Sequence, residues 1–421
     1  MRRCLKLVAV LALVHGATAH AADSADMKAT VEQLQSTIKA QQARLDQLEA
    51  KMDMDMKSEM AKVARELADD AAGQAAVPKW LDNLMFYGDL RLRYQNDCAD
   101  DDGAQVQPAD SRRRKNRNRA RFRLRFGFIK TWLDEQLAVG FRLASGNDTN
   151  PTSTNQTFTG SFNRKPIWID RAWAKYEPKA VPGLTVIGGK MAVPLVHTDM
   201  IWDSDVNPEG FWGQYKYKCG PIEPFVNIGY FILEDDAAGD SQYDALLVTY
   251  QVGNRWKITD TVQWLVAATY YDWDHEEVLA GAPDRGSYEC INLTNEVNWT
   301  LFDLPWAAYF DIVYNCDNET TGENLNQDTG YAIGVKVGKN KKKGDWSASY
   351  KYAYIEAFST PGALNDSDFN GSNARGHVLR AKYNLTDFLT LGGSVFFLQG
   401  ISDAAEGVEE VTTQVDIAWS F

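Results

Sequence analysis

Residues 118–132 read Asn-Arg-Ala-Arg-Phe-Arg-Leu-Arg-Phe-Gly-Phe-Ile-Lys-Thr-Trp, and this stretch constrains the rest. At a period of two, Ala120, Phe122, Leu124, Phe126 and Phe128 share one face, and Arg119, Arg121, Arg123 and Arg125 share the other. Strict alternation is the signature of a strand. At helical spacing the arginines would scatter around the cylinder and leave no apolar face. Two surroundings suit such a strand: a soluble core facing bulk water, or lipid facing a water-filled lumen. An arginine near the bilayer midplane costs about 2–4 kcal/mol, so in a barrel the arginine face must point inward. Soluble strands usually run about 5–6 residues, whereas a tilted spanning strand needs about 9–11. The length of this stretch favours the spanning kind.

The 421 residues carry a net charge of −13 and are 12% aromatic, with 13 Trp and 18 Tyr. The negative mean hydropathy agrees with barrel strands that are only half apolar. Residues 1–21 read as a secretory signal: Arg2, Arg3 and Lys6, then an apolar run from Leu7 to Val14, then Ala17-Thr-Ala19 or Ala19-His-Ala21 for cleavage. Cys4 precedes the apolar run, which argues against lipid modification, and no later stretch is apolar for long enough to cross a bilayer as a helix. Cys98, Cys219, Cys290 and Cys316 are too scattered for a disulfide framework or a zinc site. Cys290 and Cys316 approach neighbouring strand ends, but their differing parity would require a bulge for a bond.

Residues 22–77 read as a polar helix. Val31, Leu34, Ile38, Gln41, Leu45, Leu48 and Met52 follow a heptad, which Met56, Met60, Val63 and Leu67 continue in shifted phase. Such a narrow seam suggests a short coiled coil. A single amphipathic helix is the plainer alternative. Residues 73–78 close it as a linker, and residues 78–421 form the barrel.

The barrel expectation is all-β, antiparallel and about sixteen-stranded, an even number as in single-chain bacterial barrels. The segments lie near 84–94, 118–132, 135–146, 165–177, 183–193, 210–218, 222–234, 242–252, 259–273, 288–300, 305–316, 329–339, 345–357, 375–385, 387–400 and 409–421. Long and short connections alternate, as when long loops face outside the cell and short turns face the periplasm. Outward aromatics gather at strand ends: Trp132, Trp306, Trp346, Trp419 and Phe421 at one, Tyr94, Trp168, Tyr270, Tyr314 and Tyr354 at the other. Their rings suit the two membrane boundaries.

The closing Val415-Asp-Ile-Ala-Trp-Ser-Phe421 resembles the terminal strand of bacterial outer-membrane barrels. The stretches Ile169-Asp-Arg-Ala-Trp-Ala-Lys-Tyr176, Gly188-Gly-Lys-Met-Ala-Val-Pro194 and Ile201-Trp-Asp-Ser-Asp-Val-Asn-Pro-Glu-Gly210 resemble the putative-porin family of bacterial outer membranes, itself distantly similar to the phosphate-selective porins O and P. The resemblance covers residues 80–421 and implies a passive diffusion channel, trimeric in assembly. It does not carry over phosphate selectivity.

The same parity gives the inward cations as Arg91, Arg93, Arg119, Arg121, Arg123, Arg125, Arg142, Arg171, Lys175, Lys190, Lys216, Lys218, Lys336, Lys351, Arg380 and Lys382. Inward acids are fewer: Asp89, Asp272, Glu296, Asp311 and Asp416. Rings of Arg and Lys favour anions in a pore, although lumen charges also serve merely to solvate the wall and pair with loop acids. The long connection 194–209 holds His197, Asp199, Asp203, Asp205 and Glu209. Folded inward, its acids Asp199, Asp203, Asp205 and Glu209 would face the arginines and weaken net anion preference. Asp203, Asp205, Asn207 and Glu209 alternate like calcium ligands, but Pro208 and Gln214 stand where a calcium loop of the EF-hand kind needs Gly and Glu. No metal or other cofactor is expected. Arg112-Arg-Arg-Lys115 could grip lipopolysaccharide phosphates.

The expected function is a porin for small hydrophilic, anionic solutes, with no nucleic-acid partner. Three alternatives compete. A barrel enzyme would have His197, His275 and His377 available, none beside a nucleophile motif. A structural tether would join barrel to peptidoglycan through the coiled coil. A soluble sandwich or lectin is the third.

Overall fold

The computed structural model describes residues 58–60, 62, 81–100, 116–235, 244–275, 279, 288–317, 327–401 and 409–421. The signal peptide and the coiled-coil seam lie outside them, apart from residues 58–60 and 62, which are helical and exposed. The basic run 112–115 also lies outside them.

Residues from Asn83 onward form one unit. Its strands in chain order are β1 (Leu84–Asp100), β2 (Arg117–Trp132), β3 (Leu137–Ala144), β4 (Gln156–Thr157), β5 (Trp168–Tyr176), β6 (Leu184–Lys190), β7 (Glu209–Lys216), β8 (Ile222–Glu234) and β9 (Ala245–Lys257). They continue as β10 (Val262–Asp274), β11 (Glu289–Leu301), β12 (Leu304–Asn315), β13 (Thr329–Gly338), β14 (Trp346–Ile355), β15 (Ala374–Asn384), β16 (Leu389–Gly400) and β17 (Glu409–Ser420). The two-residue β4 only extends the pairing of β2 within a loop, so seventeen strands less this one leave sixteen in the wall. Each wall strand pairs antiparallel with its chain neighbours, and β17 pairs with β1 to close the ring. The ends meet through Gly88 N–H to Phe421 O at 2.8 Å and Phe421 N–H to Gly88 O at 3.1 Å.

Alternation decides which side faces where. On β8, Phe225, Asn227, Gly229 and Phe231 are buried while Val226, Ile228 and Tyr230 are exposed. The exposed row is the apolar side, as required where lipid replaces water. Tight turns occupy one end of the barrel. The Phe302–Asp303 turn has both residues at positive φ, the mirror-image turn that matches strand twist.

The expected segments agree with the strands, apart from local differences; one is β9, which runs on from 252 to Lys257 and brings Arg255 onto the inward face. β1 runs on to Asp100, because Asp97 pairs with Arg117 of β2 and Thr412 of β17 and faces inward. A bulge on β5 opposite Arg142 and Leu143 turns Asp170 and Arg171 inward in succession. It also sets Trp168 opposite the buried Ala144, where its indole donates to Gly146 O at 3.1 Å, rather than among the outward aromatics. Asp272 alternates with Tyr271 and Trp273, both buried inside, so it lies on the outer face and not in the lumen.

Candidate functional site

The cations divide the inner wall into two sectors. Arg91 and Arg93 on β1, Arg119, Arg121, Arg123 and Arg125 on β2, Arg142 on β3 and Arg171 and Lys175 on β5 form one stretch. Lys336 on β13, Lys351 on β14 and Arg380 and Lys382 on β15 approach it from the other side, across β16 and β17. Along β2 alone, six residue steps carry guanidinium groups over about 20 Å of wall. The remaining sector, β8 to β12, faces inward mostly with uncharged groups such as Asn227, Thr249, Gln251, Thr269, Asn292 and Thr294, with the acids Glu223, Glu296 and Asp311, and with Arg255 and Lys257 at the short-turn end of β9.

Three sequence assignments change. Lys190 pairs across β5 with the outward Ala172 and bonds Glu209 at 2.7 Å. Glu209 begins β7 beside the outward Phe211. Both therefore lie on the outer face, so Lys190 is not a lumen residue and Glu209 is not a constriction acid. Lys218 is exposed in the turn beyond the end of β7, while Lys216 sits on the inward face at that strand's short-turn end.

Most inward arginines are paired rather than bare. Asp416 takes Arg93 through two bonds of 2.7 and 2.9 Å, and Asp368 takes the same guanidinium at 3.1 Å. Asp89 bridges Arg123 and Arg125 at 2.8 and 2.7 Å. Asp97 holds Arg119 at 2.9 Å, and Asp170 holds Arg142. Arg121 bonds Gln95 and Ser153, Arg171 bonds Asn207, and Lys175 bonds Glu177. Sequence parity missed Asp97 and Asp170, so the wall is less basic than expected.

The connection 191–208 folds into the barrel, with Met200, Ile201, Trp202 and Val206 buried. It is anchored on the uncharged sector. Gln251 donates to Val196 O at 2.8 Å and accepts Val196 N–H at 3.0 Å. Trp202 lies 6.3 Å from the Tyr271 ring and 5.8 Å from the Trp273 ring, and Thr198 bonds Asp311. From that anchor Asp199 reaches Lys351 at 2.8 Å and Arg380 at 3.6 Å. Asp205 accepts the Thr154 N–H at 3.0 Å and stands 3.6 Å from Arg125. The loop thus bridges the lumen from uncharged wall to cationic wall.

A second connection, 356–373, folds in beside it, which the sequence reading did not foresee. Phe369 is buried under Lys351, whose ammonium stands 4.9 Å from the ring centroid. Asp366 caps the short helix Ser367–Phe369 and bonds Arg380 at 3.1 Å. The loops clasp through Asp203 N–H to Leu364 O at 2.7 Å, Ser367 N–H to the Asp203 carboxylate at 3.1 Å and Asp366 N–H to Asp199 O at 3.1 Å.

The acids of the clasp differ electrostatically. Burial would raise Asp199, but Lys351 and Arg380 outweigh it and bring it down to about 2. Burial raises Asp203 to about 8, helped by the Asp366 and Asp205 carboxylates. Asp205 is brought down against its burial by the Thr154 amide and by Arg123 and Arg125. Asp203 is therefore mostly neutral near pH 7, so only two of the expected loop acids, Asp199 and Asp205, carry charge in the lumen. The calcium-like spacing does not converge: Asp205 serves Thr154, Asn207 serves Asp170 and Arg171, and Asp203 serves Ser367. Cys98, Cys219 and Cys316 are free thiols, and Cys290 faces Asn315 rather than Cys316. His377 bonds Tyr350 on the outer face.

A family model described as “Putative porin” matches residues 9–301 and 287–421. No curated protein matches the chain. The high-pH structure of Pseudomonas putida OprB is 12% identical with a TM-score of 0.52, over 83% of this chain and 97% of that one. A mutant of Rh. blastica porin is 11% identical with a TM-score of 0.44, over 80% of this chain and 100% of that one.

Proposed function

The chain belongs to the family described as “Putative porin”, and on that premise we propose that it passes small hydrophilic solutes by passive diffusion, with a preference for anions. In coarse terms it is a porin channel of the bacterial outer membrane and not an enzyme. The preference for anions rests on one observation. Lys336 and Lys382 project into the lumen beside Arg91 and Arg380, and among the described residues neither lysine forms an ion pair; the carboxylate that acts on Lys382, Asp416, is held by Arg93. Cations left over after pairing set the sign of the field in a pore, and low-dielectric walls focus it.

The reading extends to a mature chain exported by cleavage after residues 1–21, a periplasmic coiled coil over 22–77 and a homotrimer in a bilayer containing lipopolysaccharide. A peptidoglycan contact through residues 22–77 is compatible with a pore, and a pulldown with that segment tests it. Phosphate selectivity is not part of the proposal. Reversal potential across a planar bilayer in a KCl gradient tests the central reading. Chloride should outrun potassium; equal or greater potassium permeability overturns it.

A further inference from the structure

Lys336 faces inward on β13 opposite Ser349, and Ser349 lies opposite Arg380 on β15. Lys382 follows Arg380 on the same face, opposite Gly392 of β16. Gly392 in turn lies opposite Asp416, and Thr390 lies opposite Ala418, which pairs with Arg91. The wall between β15 and β1 is therefore cut back. A Cβ added at Gly392 would find nothing nearer than 3.5 Å, and Ala418 carries only a methyl. A shallow recess results, with Lys336 and Lys382 at one rim and Arg91 at the other.

The charges around this recess are not balanced. Asp416 is already held by Arg93 through two bonds of 2.7 and 2.9 Å. Arg91 stands 3.9 Å from it and donates to Asn155 at 2.6 Å, but its buried Nε has no hydrogen-bond partner. Arg380 is engaged by Asp199 and Asp366. Lys336 and Lys382 are both exposed to the lumen, and Lys382 lies within electrostatic reach of the cations Arg380, Lys336 and Arg91 and of one carboxylate, Asp416, which Arg93 already engages. Like charges gathered so closely favour an anion that neutralises more than one of them.

We propose that this recess, floored by Gly392 and Ala418 and rimmed by Lys336, Lys382 and Arg91, is a binding subsite for short aliphatic dicarboxylates on their way through the channel. This deepens the anion reading and rests on it. Geometry favours two carboxylates over one compact anion. The strands bearing the two lysines are two spacings apart, about 10 Å at the backbone, with Ser349 between them. Two ammonium groups so based can each take one carboxylate without being forced together, and the Arg91 guanidinium adds positive charge across the recess. Both lysines keep water access, so a solute can leave as well as enter, which conduction requires.

Single-channel recording of the full-length protein in chloride, with succinate, acetate or phosphate added at matched ionic strength, tests this. Succinate should reduce the chloride current at concentrations where acetate and phosphate do not. The variant K336Q/K382Q should still conduct, showing that it has folded, and should weaken the succinate block by about tenfold, as expected when charge-assisted contacts are lost. Equal block by succinate and acetate, equal block by succinate and phosphate, or an unchanged succinate block in the variant overturns the subsite. A channel that prefers potassium to chloride overturns the underlying anion reading instead, so the two failures are distinguishable.

Discussion

The Asp203 carboxyl of one inward loop accepts the Ser367 N–H of the other at 3.1 Å, while Asp203 N–H donates to Leu364 O at 2.7 Å. Burial raises this carboxyl from 3.8 to about 8. Burial and the Asp366 and Asp205 carboxylates thus favour the neutral form, outweighing the Asp205 and Ser367 amides that favour the ionised one. The contribution of the neutral form is complete below pH 3.8 and is lost as pH rises through about 8. Hydrogen exchange in residues 356–373, corrected for intrinsic rates, should accelerate from pH 7 to 9. Asp203→Asn should flatten that dependence; a variant with an undiminished pH response would refute the assignment.

Asp205 and Asp203 should differ as determinants of charge preference. Asp205 is ionised beside Arg125, 3.6 Å away. Removing its charge with Asp205→Asn should raise the chloride-to-potassium ratio about twofold, the size expected for one partly screened charge. Asp203→Asn at pH 6 should leave the ratio unchanged, because it removes no charge. Reversal potentials of the two variants decide the matter, and equal effects would contradict it.

Trp202 secures the loop to the uncharged wall against Tyr271 and Trp273. Trp202→Ala should remove about 3 kcal/mol of packing. The loop would then depend more on its ionic end, Asp199 on Lys351 and Arg380, which salt screens, beside the Val196–Gln251 and Thr198–Asp311 bonds that remain. Conductance should rise, and current noise should grow with ionic strength more steeply than in the wild type. An unchanged conductance would mean that the loop does not restrict the passage.

Asp170→Asn should destabilise the barrel by about 3–5 kcal/mol, because it leaves the buried Arg142 guanidinium without its carboxylate. The temperature at which the folded barrel shifts in gel mobility should fall. A variant as heat-resistant as the wild type would argue that water replaces the carboxylate there.

Much of this barrel can be read from alternation, since lipid on one side and water on the other leave each strand a two-residue period. Arg119 to Arg125 are the plainest case. Inference failed where side chains gave no such signal. Gly188 and Gly189 carry no parity, and Lys190 beyond them was assigned to the wrong face. The bulge at Asp170 shifts the count by one, which a residue pattern without registers does not reveal. Asp97 sits in an acidic run that reads as loop but continues as strand. The inward loop 356–373 has no period at all. Its only advance sign is apolar Phe358, Leu364 and Phe369 in a polar stretch, residues that need cover and find it inside.

Because β17 pairs with β1, the wall offers no row of unsatisfied amides and carbonyls to a neighbour. Two such cylinders cannot join by lending each other a strand. Contact between copies through this wall would work through rings, methyls and the occasional outward ion pair such as Lys190 with Glu209. Contact of that kind can be remodelled one side chain at a time without reopening the cylinder.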